Sequence, residues 1–363
     1  MKWFDHYVSN TLGGSGNQTA FSTEGRYCTG RVYYKLFAPG KYAYSLLFSN
    51  IIDSTYKPEY GTVCNTVCDE WEITEASAGL CRGASCEAAA EPEAMRPLTF
   101  GGSRGKHVMP GEFFVTDPVE LDGAKGDYLC VQLTFRGDLL PYHLESVLHI
   151  FTESGGKWVP DKKMPLPSMV GCCRDVTARI GFLGDSITQG IGTPPNGYTH
   201  WCALLGEKIG RAYSFWNLGI GYGRGQDAAT DGAWLFKAKQ MDAVVVAYGS
   251  NDIGRGRTTE EMKADLTRIV TVLKAAGVKV FLVSVPPFNW EDVQFTRWTE
   301  INEFLTRELS QQAQGFFDIA PLLTDPSLPG IAMYGKHPDE EGCRIWADAM
   351  ETPFRAFLTG NAR

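Results

Sequence analysis

The chain has 363 residues, of which 44% are hydrophobic and 21% are charged, as is typical of a globular protein. This length exceeds what one hydrophobic core usually supports, so it predicts two domains. The 34 Lys and Arg against 42 Asp and Glu give a net charge of −8, which argues against binding to nucleic acids or anionic membranes. No apolar run is long enough to span a bilayer and no signal peptide is visible, so we expect a cytoplasmic protein.

The first part of the chain, residues 1–165, consists of short segments rich in Val, Tyr, Phe and Leu. Gly, Pro and Asp turn signals separate these segments, and none has helical periodicity. The segments predicted as strands are 32–37, 42–48, 112–115, 128–135 and 147–151. Short strands at this spacing predict an all-β sandwich or jelly roll.

Ten cysteines are many for a cytosolic protein. Four of them form the pattern C-x3-C…C-x4-C: Cys64, Cys68, Cys81 and Cys86. The pattern is similar to a four-thiolate zinc site, but the spacing departs from the usual C-x2-C, and residues 75–95 have the composition of an Ala/Glu-rich surface loop. Zinc binding and disulfides stay open, and the expected compartment favours free thiols. The adjacent Cys172 and Cys173 are expected to be buried or unreactive, because a bridge between neighbours is strained.

After a linker rich in Pro and Lys at 159–167, the pattern of residues 166–363 changes to apolar strands that alternate with amphipathic helices. The predicted strands are 179–183, 214–218, 243–248, 279–285 and 315–319. The predicted helices are 198–209, 259–276, 292–312 and 340–357. This alternation predicts a doubly wound α/β domain with a mainly parallel five-stranded sheet. In such a sheet the ligand lies at the carboxyl ends of the strands.

The first of these strands ends in Gly184-Asp185-Ser186. A serine between a strand and a helix can expose its hydroxyl at the sheet edge, where a helix N-terminus favours developing negative charge. An isolated motif of this kind would more simply be a Ser helix cap. Other motifs follow the next strands, however, and that repetition favours a catalytic serine.

Three further motifs are expected at the same sheet edge. Glycines at 219, 221, 223 and 225 allow a turn that brings backbone N–H groups close to a ligand, and their spacing fits neither a dinucleotide loop nor a P-loop. Residues 249–252 read Gly-Ser-Asn-Asp, and the Asn251 side chain could point a donor at the same place. His337, followed by Pro338, precedes the last helix and becomes a candidate base.

The four motifs together resemble the blocks of SGNH (GDSL-type) hydrolases, in the family's order and over about residues 175–360. The resemblance implies a flavodoxin-like three-layer domain in which Ser186 is the nucleophile and His337 is the base. It implies acyl-enzyme chemistry without a metal or a cofactor. Asp185 is expected to shape the turn rather than to take part in the reaction.

The same resemblance implies an oxyanion hole made of the Ser186 backbone N–H, one N–H of the glycine-rich block and the Asn251 side-chain amide. The glycine that donates this second N–H in the family is replaced here by Tyr222. Because the donor is a backbone group, Tyr222 can serve, and Gly221 or Gly223 could take the role instead.

The family's last block is usually D-x-x-H, and Tyr334 stands at the position of its Asp. We therefore expect a Ser–His dyad in which a backbone carbonyl within 333–335 accepts the imidazole N–H. Some carbohydrate-acting SGNH esterases work in this way. Asp339 follows the histidine and is expected to open the last helix.

The N-terminal half resembles the β-sandwich that precedes the catalytic domain in some bacterial SGNH esterases, on residues 46–50, 99–102 and 115–119. Several of these esterases act on acetylated sugars or plant polysaccharides. The resemblance thus implies an oligosaccharide or small-molecule ester as substrate, from which an acetyl or other short acyl group is removed. Four aromatic residues near strand ends could stack on a sugar or could pack between domains: Tyr222, Phe288, Trp290 and Tyr334.

Two other functions stay open from the sequence. Because the orienting Asp is missing at Tyr334, the chain could be a carbohydrate-binding protein that has lost catalysis. Alternatively, the same site could hydrolyse thioesters or lysophospholipids, although no lid-like apolar segment is evident. The sequence gives no indication of the oligomeric state.

Overall fold

The computed structural model describes residues 2–56, 63–82 and 89–360. The chain forms two compact units, one of Met1–Val176 with Ser214–Trp216 and one of Thr177–Tyr213 with Asn217–Arg363. That residues 1–165 and 166–363 are separate domains stays a prediction, because compactness alone does not show that a segment folds independently.

The first unit is built from antiparallel strands, preceded by a 3₁₀ turn at Lys2–Asp5. The strands are β1 (Val8–Ser9), β2 (Thr19–Phe21), β3 (Cys28–Lys35), β4 (Gly40–Ser49), β5 (Trp71–Cys81), β6 (Glu93–Pro97), β7 (Lys106–Val108), β8 (Phe113–Val115), β9 (Val119–Gly123), β10 (Tyr128–Gly137), β11 (Leu140–Tyr142), β12 (Ile150–Ser154), β13 (Lys157–Pro160) and β14 (Met169–Cys172). Five of them form a sheet in the order β1-β14-β4-β8, with β9 also paired to β4. Seven form a second sheet in the order β13-β12-β3-β10-β5-β6, with β7 paired to β5, and β2 pairs with β11.

The two large sheets of this unit contact each other through aromatic side chains. Trp71 of β5 meets the ring of Phe114 of β8 edge-on at 6.0 Å. The indole Nε1 of Trp71 also donates a hydrogen bond of 2.8 Å to the side-chain oxygen of Asn50, at the end of β4. Apolar side chains of these strands are buried and the pairings are antiparallel, so the prediction of an all-β unit is confirmed.

The expectation of a surface loop at 75–95 was wrong for residues 75–81 and 93–95, which lie in strands, whereas the described residues 82 and 89–92 lie outside strands. β5 continues through Cys81, where it pairs with β10, and β6 begins at Glu93. The sequence concealed this strand because its inward positions carry small residues of low strand propensity, such as Ala76 and Ala78. Pairing with β10, which lies inside the sheet, decides the conformation of this segment.

The second unit alternates strands and helices. Its elements are β15 (Ala178–Gly184), α1 (Ser186–Gln189), α2 (Trp201–Ile209), β16 (Tyr213–Gly219), α3 (Gly225–Ala228), α4 (Ala233–Ala238), β17 (Ala243–Ala247), α5 (Ser250–Gly254), α6 (Thr259–Ala275), β18 (Lys279–Val283), α7 (Asp292–Arg307), a 3₁₀ turn (Leu309–Gln312), β19 (Gly315–Phe317), α8 (Ala320–Leu323), β20 (Thr324–Asp325), β21 (Leu328–Ala332) and α9 (Glu340–Thr359). The five strands of the main sheet lie in the order β16-β15-β17-β18-β19, and β20 pairs with β21.

This main sheet has the flavodoxin-like strand order, in which the second strand of the unit lies outside the first. The pairings of β15 with β17, of β17 with β18 and of β18 with β19 are parallel. Helix α2 packs on α9, where Trp201 and Trp346 stack at 4.6 Å, while α6 contacts α3 and α7. The predicted parallel five-stranded sheet with helices is confirmed. Its strand order reverses at β15, which is where ligands bind in such sheets.

The four predicted helices are observed, and two of them differ from the prediction by three residues or more at one end. α2 begins at Trp201 and not at residue 198, because Tyr198 has a left-handed φ of 56° that a helix cannot include. The sequence predicts one helix at 292–312. In the structure the α-helix ends at Arg307, and the chain continues as a 3₁₀ turn. Within the described ranges, no helix is long and apolar enough to cross a membrane.

None of the nine described cysteines forms a disulfide. In the part of the chain that the structure describes, no three His, Cys, Asp or Glu side chains form a group that could hold a metal ion. Cys86 lies outside the described residues, so the complete four-cysteine pattern stays a prediction. Cys172 is buried as expected, whereas Cys173 is exposed.

Candidate active site

Ser186 begins α1, directly after β15, at the point where the strand order of the sheet reverses. Asp185 caps this short helix, since its side-chain Oδ1 accepts the backbone N–H of Ile187 at 2.9 Å. This bond agrees with the expectation that Asp185 shapes the turn. Ser186 itself is 9% exposed, so its hydroxyl lies at the sheet edge with only a small opening to solvent.

His337 lies in the loop between β21 and α9 and reaches back to the same sheet edge. Its Nε2 atom is 2.8 Å from the hydroxyl oxygen of Ser186, although the two residues are 151 positions apart in the chain. When Nδ1 carries the ring proton, Nε2 can accept the serine proton. The structure therefore brings the predicted nucleophile and the predicted base into direct contact.

Two neighbours pack against His337. The ring of Phe288 meets its imidazole edge to face, with centroids 5.3 Å apart and planes at 79°. Gly192 packs against its backbone so closely that an added Cβ would lie 2.8 Å from the His337 carbonyl oxygen. Burial lowers the pKa of His337 below its ordinary value of 6.5. The ring is therefore neutral, and able to act as a base, at neutral pH.

No acidic side chain among the described residues forms a hydrogen bond or an ion pair with His337. The predicted bond from the imidazole to a carbonyl within 333–335 is not formed either. The carbonyl of Tyr334 accepts the backbone N–H of Asp339 at 3.0 Å instead. Asp339 caps α9 by accepting the N–H of Gly342, as expected for a residue that opens the helix.

The glycine-rich loop, residues 219–225, follows β16 and supplies the candidate oxyanion donors. The N–H of Gly221 donates to the side-chain oxygen Oε1 of Gln189 at 2.5 Å, and the N–H of Gly223 donates to the carbonyl of Ile220 at 3.0 Å. Tyr222 between them has φ of 62°, in the left-handed region that favours glycine. This conformation explains why the family has glycine at this place.

Asn251 lies in α5, after β17, and its side chain reaches the glycine-rich loop. Its Nδ2 donates a hydrogen bond of 3.0 Å to the carbonyl of Gly223. The amide nitrogen of Asn251 carries two hydrogens, so its second N–H can donate to a ligand. The third predicted motif is therefore in contact with the second.

Two buried carboxyl groups, those of Asp185 and Asp252, lie next to Ser186 and Asn251 in the chain. Asp252 accepts the N–H groups of Gly225 at 2.9 Å and of Gln226 at 3.2 Å. Burial raises the pKa of Asp252 to about 6 and that of Asp185 to about 7, to which the charge of Asp252 also contributes. Asp252 belongs to the Gly-Ser-Asn-Asp motif, but the sequence pattern did not predict this role for it.

The four aromatic candidates have different environments. Phe288 is half-buried beside His337, and Trp290 stacks on it at 5.4 Å. Trp290 is only 4% exposed, so the prediction that its ring stacks on a sugar is not supported. Tyr222 and Tyr334 are half-buried, and the guanidinium of Arg255 lies 5.1 Å from the Tyr222 ring.

Residues 182–345 match the GDSL-like Lipase/Acylhydrolase family. No curated protein matches the chain at a significant level. This family match covers β15 to the first part of α9 and includes every candidate site residue named above.

Several solved structures are similar to this chain. A member of the lipolytic protein G-D-S-L family from Veillonella parvula is 19% identical over 49% of this chain and 98% of its own, with a TM-score of 0.40. The acetylxylan esterase Axe2 from Geobacillus stearothermophilus is 17% identical over 50% of this chain and 95% of its own, with a TM-score of 0.40. A family two carbohydrate esterase from Cellvibrio japonicus is 11% identical over 98% of this chain and 97% of its own, with a TM-score of 0.39.

These TM-scores are all below 0.5, so the similarities carry no information about substrate. The family match rests instead on the sequence of residues 182–345, and the strand order of the second unit agrees with it. The C-terminal half of this chain is a domain of the GDSL-like lipase/acylhydrolase family.

Proposed function

We propose that the chain is a serine esterase in which Ser186 attacks an ester carbonyl and His337 is the general base. The observation that carries this proposal is the distance of 2.8 Å between the Ser186 hydroxyl oxygen and Nε2 of His337. The family match supports an acylhydrolase in general, and the roles of the individual residues are our assignment.

In the first step, the Ser186 proton moves to Nε2 of His337 while the serine oxygen bonds to the ester carbon. The resulting tetrahedral intermediate collapses to an acyl-enzyme, and the imidazolium returns its proton to the departing alcohol. In the second step, His337 takes a proton from water, which attacks the acyl carbon. The imidazolium then returns this proton to the Ser186 oxygen as the bond from that oxygen to the acyl carbon breaks, which releases the acid and restores the free enzyme. Burial of His337 supports this role because it keeps the imidazole neutral before each proton transfer.

The developing oxyanion would be stabilised by the backbone N–H groups of Ser186 and Tyr222 and by the Asn251 amide. Tyr222 is the donor that the family resemblance implies for the glycine-rich loop, while the N–H groups of Gly221 and Gly223 donate to Gln189 and to Ile220. Its left-handed φ of 62° is the conformation that glycine adopts readily at such a turn. Each donor of this kind is worth about 3 kcal/mol in the transition state.

We further propose that the natural substrate is a carbohydrate bearing acetyl or other short acyl groups. The half-buried Phe288 ring beside His337 supports this substrate class, because aromatic side chains present a flat apolar face to a sugar ring. The antiparallel β unit before the hydrolase domain agrees with the arrangement in carbohydrate-acting relatives that the sequence resembles.

The test is hydrolysis of p-nitrophenyl esters of increasing chain length by the wild type and by Ser186→Ala. We expect turnover of the acetyl ester, a decline with longer chains, and a loss of at least about a thousandfold in the variant. Ser310→Ala is the matched control, since this hydroxyl is exposed and donates only to the Thr306 carbonyl.

A preference for long acyl chains would favour a lysophospholipid hydrolase over an acetylesterase. A wild type that hydrolyses neither the reporter esters nor acetylated xylan would refute the esterase. It would instead favour the carbohydrate-binding protein that the missing Asp at position 334 suggests.

A further inference from the structure

The glycine-rich loop is packed directly on the short helix that carries Ser186. At Gly219 an added Cβ would lie 2.2 Å from the backbone nitrogen of Gln189, so only glycine permits this approach. The Asn217 side chain donates to the carbonyl of Thr188 at 3.1 Å and accepts the N–H of Gly219 at 2.8 Å. The first residues of the loop are therefore held against α1.

Gln189 extends this attachment to the middle of the loop. It ends α1, three residues after Ser186, and its side chain is fully buried at 0% exposed. Its Oε1 accepts the N–H of Gly221, the residue that precedes Tyr222. One buried side chain thus joins the helix of the proposed nucleophile to the backbone beside the proposed oxyanion donor.

The last residues of the loop are attached to a different element. Asn251 donates to the Gly223 carbonyl, and Asp252 accepts the N–H of Gly225. Both belong to α5, which follows the neighbouring strand β17. Tyr222 lies between the two attachments, in a left-handed conformation that is unfavourable for any residue except glycine. The contact to Gly221 therefore helps to keep this conformation populated.

We infer that Gln189 is a positioning residue for the oxyanion hole. Its side chain fixes the backbone of Gly221, so that the N–H of the next residue, Tyr222, points toward Ser186. The inference rests on the proposed function, because the oxyanion hole has a purpose only in an acyl-transfer enzyme. Gln189 does not touch the reacting atoms, and the effect that we infer passes through the hydrogen bond from the Gly221 N–H to its Oε1.

The test compares Gln189→Met with the matched control Gln314→Met. Methionine has a similar length but lacks the acceptor oxygen. Gln314 also uses Oε1 to accept a backbone N–H, that of Val280 at 2.8 Å, near the amino end of β18 and away from the site. Both substitutions therefore remove a side-chain oxygen that accepts a backbone N–H, at a buried position for Gln189 and at an exposed one for Gln314.

In single-turnover hydrolysis of p-nitrophenyl acetate, we expect Gln189→Met to lower the acylation rate constant by about tenfold or more. Removal of a direct oxyanion donor costs about 10²- to 10³-fold, and an indirect contact should cost less. KM should change little, because the oxyanion forms only in the transition state. Gln314→Met should keep the wild-type acylation rate. A Gln189→Met variant with unchanged acylation, or with a change confined to KM, would overturn the inference.

Amide hydrogen exchange separates this inference from the proposed function. In the wild type, the Gly221 amide should exchange slowly, and in Gln189→Met it should exchange much faster, whereas the Gln314→Met variant should match the wild type at Gly221. Rapid exchange at Gly221 in the wild type overturns the inference without the use of any variant. If the wild type shows the expected protection and yet hydrolyses no ester, Gln189 still positions the loop, and the proposed function is what fails.

Discussion

At the scale of single residues, the proposed role of His337 as a base makes its ionisation state decisive for activity. Its imidazole faces the ring of Phe288, and burial lowers its pKa. Since no acidic side chain in the described residues pairs with this ring, no nearby negative charge raises the pKa again. The neutral form that a general base requires is therefore present at lower pH than for an exposed histidine.

This environment predicts the pH dependence of kcat/KM. Activity should rise with pH through a single ionisation whose midpoint lies below 6.5, the ordinary pKa of histidine. In Phe288→Ala, water gains access to the imidazole, so the midpoint should move up toward 6.5. Both values follow from the rate of p-nitrophenyl acetate hydrolysis between about pH 4 and about pH 9.

Phe295→Ala is the matched control, because Phe295 is similarly exposed but contacts Trp298 and not His337. Its midpoint should equal that of the wild type. A wild-type midpoint above 6.5 would instead mean that a negative charge stabilises the imidazolium.

At the scale of elements, the loop between β21 and α9 places His337 at the sheet edge, and Asp339 caps the N-terminus of α9. Its Oδ1 accepts the N–H of Gly342 at 2.9 Å, and α9 then packs on α2 through the stacked Trp346 and Trp201. This carboxylate caps the helix and forms no hydrogen bond with the imidazole of His337. The short sequence distance from Asp339 to His337 is therefore no sign of a catalytic triad.

We predict that Asp339→Ala lowers the free energy of unfolding by about 1 kcal/mol, as is usual for the loss of an N-cap. Asp339→Asn keeps a capping oxygen and should retain the wild-type stability. Both variants should hydrolyse p-nitrophenyl acetate at the wild-type rate. Urea unfolding measures the first effect, and a large loss of activity in both variants would show that this carboxylate serves His337 after all.

At the scale of the whole molecule, the parallel sheet buries carboxyl groups at the ends of two neighbouring strands. Asp185 follows β15 and Asp252 follows β17, and burial raises both pKa values above their ordinary 3.8. The folded protein consequently binds these protons more tightly than the unfolded chain does. Their contribution to stability is present below about pH 4 and is lost as the pH rises through the folded-state pKa values.

For Asp252, whose pKa is raised to about 6, this linkage predicts a sign and a size. The compared quantity is the free energy of unfolding of the wild type minus that of Asp252→Asn. This difference should fall by up to about 3 kcal/mol as the pH rises from about 4 to about 6. Urea unfolding of both proteins across this range gives the difference.

Asp348→Asn is a control of opposite sign, because the hydrogen bond from Lys208 lowers the pKa of Asp348. If the difference in free energy of unfolding between the wild type and Asp252→Asn does not change with pH, then Asp252 is ionised in the folded protein like an exposed carboxylate.

The sequence by itself determined where the chemistry lies in this protein. The motifs at Ser186, at 219–225 and at Asn251 each follow an apolar strand, and the carboxyl ends of parallel strands meet at one edge of a sheet. Local patterns of hydrophobic residues, glycines and caps were therefore enough to predict the parallel sheet and to bring these motifs to one place. Errors at element ends, as at Tyr198, came from single backbone conformations that a pattern does not encode.

Only the tertiary structure decided what surrounds each of these groups. The aromatic neighbour of His337, the burial of Trp290 and the bond from Gln189 to Gly221 all join residues that are distant in the chain. The strand at Trp71–Cys81 was likewise formed by pairing with β10 and not by its own small side chains. The physical reason is the same in each case: a local pattern sets the conformation of a segment, whereas a side chain's partners depend on how distant segments pack.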